Sequence, residues 1–149
     1  MLAARRWAVR NAGLLERLYA LARPALRAAR PLVTALGAQR VQEPLARVES
    51  TVKGFLFDCQ MCGQCVLSST GMSCPMNCPK NLRNGPCGGV RPTGHCEVKP
   101  DMKCVWVAAW EGSRTMAAGN AILDRLPPVD HALKGRSSWL RVIREKTAP

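Results

Sequence analysis

The chain has 149 residues and carries 22 basic against 10 acidic side chains, a formal charge of +12. That length suits one small domain with extensions and excludes two full domains. Aromatics are few, with 4 Trp, 2 Phe and 1 Tyr, whereas Gly and Pro number 12 and 11. A large aliphatic core is therefore excluded from the middle of the chain, where metal or sulfur cross-links are expected instead.

Residues 1–50 read as a basic helical N-terminal extension. Leu14, Leu15, Leu18, Leu21 and Ala22 recur at helical spacing, with Arg10, Arg17 and Arg23 off that stripe. Pro24 is expected to end or kink this helix. A second apolar set, Leu26, Leu32, Val33 and Leu36, is interrupted by Pro31 and stops near Gly37, a suitable C-cap. Such a segment either lies on a membrane surface or packs its stripe on the protein or a partner. With Trp7 the one aromatic of its first turns, the packed reading is preferred. Arginines 5, 6, 10, 17 and 23 break every apolar run that a secretory signal needs, and no run approaches a membrane span. A mitochondrial presequence fits poorly, because Ser50 is the first serine and Glu16 lies within the segment. The expected compartment is the cytoplasm, where thiols stay reduced. The basic residues are not interleaved with stacking aromatics, so no nucleic-acid partner is expected.

Residues 51–105 form the expected cysteine-rich domain. Thr51 to Phe57 (TVKGFLF) reads as a short strand or an extended lead-in. Cys59 to Cys104 is then loop-like, broken by glycines 63, 71, 85, 88, 89 and 94 and by prolines 75, 79, 86, 92 and 100. Residues 106–149 form a helical C-terminal segment and a partner-docking tail. One helix follows Cys104, with a break near Gly112, and Ser137 or Ser138 caps a short last helix bearing Trp139, Leu140 and Ile143. The expected fold class is a small irregular cysteine-rich metal-cluster domain, α plus loops, with helical extensions at both ends.

All eight cysteines, Cys59, Cys62, Cys65, Cys74, Cys78, Cys87, Cys96 and Cys104, fall in one stretch. Such confinement argues against inert core thiols. Their even number suits disulfides, but the missing export signal does not. Zinc takes two separated two-cysteine knuckles and would leave one sulfur of Cys59, Cys62 and Cys65 unused. His95 could join a Cys3His site, although an exposed turn residue after Gly94 is the preferred reading. Iron–sulfur ligation uses the whole C-x2-C-x2-C triplet and draws its fourth sulfur from a distant cysteine, commonly one followed by proline. Cys74-Pro75 and Cys78-Pro79 both qualify. All eight thiols are thus candidate metal and cofactor ligands. Two [4Fe-4S] clusters are the first expectation, with one [4Fe-4S] plus zinc, or zinc only, as alternatives. The triplet should share a cluster, and spacing does not allocate the other five. The turn Asn84 to Gly89 (NGPCGG) is too short for a phosphate loop and lacks its lysine; it suits a tight turn that aims amides at sulfur. No nucleophile triad, carboxylate pair or dinucleotide fingerprint stands outside the cysteines, so chemistry on a substrate is expected in another chain.

The block from Cys59 to Cys104, with CQMCGQC, SCPMNCPKNLRNGPCGG, GHCEV and CVWVAAW, resembles the cysteine-rich C-terminal domain of methylenetetrahydrofolate reductases. The tail LPPVDHALKGRSSWL resembles the closing segment of that domain, so the likeness runs from about Gly54 to Leu140. It implies a small iron–sulfur subunit of a two-subunit reductase in one-carbon metabolism. Its partner would be a flavin-containing TIM-barrel subunit that reduces 5,10-methylenetetrahydrofolate, with a ferredoxin-like or other electron donor. The expected role is electron transfer to or from that flavin; the alternative is a structural zinc or redox-silent cluster module that braces or recruits the partner.

Overall fold

The computed structural model describes residues 2–144, which form six α-helices and connecting turns. No β-strand occurs among the described residues; one isolated antiparallel bridge joins His95 and Lys103. The helices are α1 (Leu2–Arg10), α2 (Ala12–Ala28), α3 (Arg30–Leu36), α4 (Ala38–Phe57), α5 (Val105–Ser113) and α6 (Ser138–Arg144). Short 3-10 turns at Leu67–Ser69, Pro75–Asn77, Gly119–Leu123 and His131–Leu133 punctuate the loops. No helix of the described residues is long and apolar enough to cross a membrane.

The N-terminal helices are built into the fold. Small residues let α1 and α2 approach closely: Ala8 and Ala12 are fully buried against Phe57, Leu67, Met72 and Met116. A Cβ at Gly13 would overlap the Thr115 carbonyl oxygen. Glu16 fixes the same approach, its carboxylate accepting the amides of Ala117 (2.6 Å) and Ala118 (2.9 Å). A second cluster joins Val33 of α3 to Leu140 and Ile143 of α6, beneath Val41 and Leu45 of α4. A third gathers Cys104, Trp106 and Ala109 with Ile122 and Leu126. Three small cores take the place of one large one, as the composition requires.

Three expectations change. Thr51–Phe57 is the last two turns of α4, not a strand. Glu49, Lys53 and Phe57 recur every four residues and are buried on one face of the helix, and that long-range burial overrides the β-prone local sequence. Pro24 does not end its helix, since α2 continues to Ala28. The helix after Cys104 stops at Ser113, just past Gly112, and the chain just beyond it forms only the 3-10 turn Gly119–Leu123. As expected, α3 stops before Gly37 (φ 83) and Ser137 caps α6, its hydroxyl accepting the Leu140 amide at 3.1 Å.

Candidate metal centre

The site begins where α4 stops. Asp58 adopts a left-handed conformation (φ 54) and donates its amide to Gly54 O (3.0 Å), while the Cys59 amide reaches Lys53 O (3.3 Å). Met61 (φ 47) and Gly63 (φ 73) repeat the left-handed step, so the chain curls through the triplet. For a non-glycine residue that geometry costs about 1–2 kcal/mol. The closing segment holds it in place: Gly135 donates its amide to Met61 O (2.8 Å), and Asp130 donates to Gln64 Oε1 (2.9 Å). A Cβ at Gly63 would overlap the Leu133 carbonyl.

This curl brings Cys59, Cys62 and Cys65 to one small cavity, and Cys74, just before the Pro75–Asn77 turn, lines it as well. Cys74 is buried, Cys59 and Cys62 are half-buried, and Cys65 is exposed. Burial, reinforced by the three other thiols, pushes the Cys74 thiol up to about 12 against the pull of the Met76 amide. Burial also raises Cys59, with Cys65 and Cys62 adding to it. The Met61 amide, 3.4 Å from the Cys59 sulfur, and Lys53 oppose that rise.

Cations share the wall, since Lys53, Arg83 and Arg136 line the same cavity. Lys53 is 5% exposed, donates to Glu49 (2.6 Å) and to Ser138 Oγ (2.8 Å), and lies 5.2 Å from the centre of the Trp139 ring. Glu49, 2% exposed, also accepts the Ser137 hydroxyl (2.6 Å), the Ser138 hydroxyl and the Trp139 amide (3.2 Å). Burial alone would neutralise both groups. Cys65 and Glu49 more than offset it for Lys53, whose pKa is raised, and Lys53 with the two serines holds the Glu49 carboxyl below its ordinary value. The i,i+4 spacing of Glu49 and Lys53 was a signal in the sequence; Arg83 carried none.

The remaining thiols are placed differently. Cys87 Sγ lies 3.7 Å from Glu97, which also pairs with Lys80. Cys96 and Cys104 sit on the two arms joined at His95–Lys103 and are buried, and Cys78 is half-buried after the Pro75–Asn77 turn. His95 directs Nδ1 to Thr93 (3.1 Å). Asn84 ties the NGPCGG turn to the closing segment by paired bonds with Leu126 (2.7 and 3.0 Å). All eight cysteines are free thiols, and no three His, Cys, Asp or Glu side chains among the described residues are arranged to hold a metal ion. In residue type, however, the first four suit a soft metal or cluster: four thiols line one cavity, with cations beside them.

Fold and site together define a small helical, cysteine-rich domain with a four-thiol cavity. Residues 38–132 match the protein-family model described as Methylene-tetrahydrofolate reductase C terminal, and the chain belongs to that family. The match starts at the first residue of α4 and leaves α1–α3 and α6 outside. No curated protein and no solved structure gives a match.

Proposed function

We propose that the chain is the iron–sulfur subunit of a methylenetetrahydrofolate reductase system and exchanges single electrons with a flavin in a partner subunit. Family membership supports the association with that system. The observation that carries the cofactor reading is the convergence of Cys59, Cys62, Cys65 and Cys74 on one cavity, three sulfurs of a C-x2-C-x2-C run and one followed by proline. A cluster held there would supply one-electron redox chemistry. Around it, the Met61 and Met76 amides reach the Cys59 and Cys74 sulfurs, and Lys53 faces Cys65 with positive charge. Cys78, Cys87, Cys96 and Cys104 are the ligands left for a second cluster.

Exposed apolar surface supports a partner subunit. Leu14, Leu18, Leu21, Val52 and Phe55 are all exposed on α2 and α4, Leu21 at 75% and Phe55 at 69%. An apolar groove of about 480 Å³, walled by Leu15, Leu18, Val52, Leu56 and Trp139, opens beside Cys65, the exposed sulfur. A partner seated there would come close to the thiol site.

Anaerobic purification tests the reading. The expected sample is brown, absorbs broadly near ~400 nm and bleaches with dithionite. A colourless sample with stoichiometric zinc would replace electron transfer with the structural reading. The partner claim is tested by co-expression with a flavin reductase subunit, where the expected product is a hetero-oligomer and separate elution of the two chains counts against it.

A further inference from the structure

Among the described residues, Arg83 is a buried charged side chain with no ion-pair partner. It is 6% exposed and lines the four-thiol cavity. Its Nη2 donates to Gln64 O (3.1 Å), between Cys62 and Cys65 in the chain, while Nε and Nη1 are buried with no acceptor. A guanidinium keeps its proton, so a neutral form cannot relieve its burial. Glu49, the carboxylate on the lining of that cavity, is committed to Lys53. Because Nε and Nη1 are closed to solvent, neither water nor a ligand in the open groove can serve them as they stand. The remaining source of negative charge on that wall is the thiol set of Cys59, Cys62, Cys65 and Cys74.

We infer that Arg83 is a positioning residue of the thiol site, whose free donors balance the negative charge that the cavity holds once its thiols are loaded as thiolates. This rests on the cluster reading proposed above. The same residue fixes the Gln64 carbonyl, so one side chain couples the shape of the triplet loop to the charge it encloses. Its positive charge favours the reduced, more negative state of the site, and removing it lowers the midpoint potential.

The test compares the full chain with Arg83→Gln and Arg83→Lys after anaerobic purification, reading iron content, circular dichroism and midpoint potential by dithionite titration. Arg83→Gln is expected to leave helix content unchanged and to lower the reduced-to-oxidised ratio about tenfold at the wild-type midpoint, or to prevent loading. Arg83→Lys, which keeps the charge but loses the planar fork, is expected between the two. An Arg83→Gln protein with wild-type loading and potential overturns the inference. If Arg83→Gln does not fold, Arg83→Met is read in its place, and wild-type loading and potential there overturn the inference. A wild-type chain that binds no iron refutes the cluster reading itself, which separates the two failures.

Discussion

Cys74 and Cys65 are chemically similar in the sequence and opposite in the structure. With its thiol raised to about 12, Cys74 is almost wholly protonated near neutrality, whereas Cys65 is exposed beside Lys53. Iodoacetamide at pH 8 on the folded, metal-free chain is therefore expected to label Cys65 and spare Cys74, read by peptide mass mapping; equal labelling would contradict the burial. Glu49 supplies a pH test. Its folded pKa lies below the unfolded value, so its stabilisation is complete above about pH 4.3 and is lost as pH falls through the folded pKa. Urea midpoints between pH 6 and pH 2 should show Glu49→Gln less stable than wild type at pH 6, with the gap narrowing on acidification. The cysteines themselves were legible because spacing is local. Arg83 was not, and Glu49 showed only its i,i+4 spacing to Lys53, because what makes them part of the site is burial beside residues distant in the chain.

At the scale of elements, the closest approaches are made by glycine. Gly71 has φ 56, and a Cβ there would overlap the Ala109 carbonyl of α5; at Gly112 it would overlap the Gly71 carbonyl. Gly71→Ala is expected to cost about 3 kcal/mol, measured by urea denaturation, because both backbone strain and overlap must be relieved. Ser137→Ala removes the α6 cap and one of the Glu49 partners, at a cost of about 2 kcal/mol by the same measurement. TVKGFLF shows where sequence reading stopped short. Thr, Val and Phe suggest a strand, yet Lys53 must reach Glu49 and Ser138 on one side of a helix, and that contact decides the conformation. Pro24 shows the same override, sitting inside α2 on the exposed side of the protein.

At the scale of the molecule, residues 1–37 lie outside the family match yet supply Ala8, Ala12 and Val33 to two of the three cores. Deleting them is expected to abolish cooperative thermal unfolding and raise binding of a hydrophobic dye. A truncated chain that still melts sharply would show that the matched region folds alone. The packed reading of the N-terminal helices agrees with these contacts, although their leucine stripe is only partly covered: Leu15 is half-buried while Leu14, Leu18 and Leu21 stay exposed.

The sequence by itself determined that eight confined thiols dominate this protein, that three of them recur at three-residue steps, that helices flank them, and which family the chain resembles. These are properties of composition and of spacing over a few residues. It left two Cys-Pro steps equally eligible as the fourth sulfur. The tertiary structure sets Cys74 on the cavity that the triplet lines, because the reversal after Asp58 and the closing segment over Met61 and Gly63 turn the triplet toward that residue. It also set Glu49 and Lys53 of α4 against Ser137 and Ser138, and put Arg83 beside the thiols. Those contacts span tens of residues, and chain folding, not local preference, brings them together.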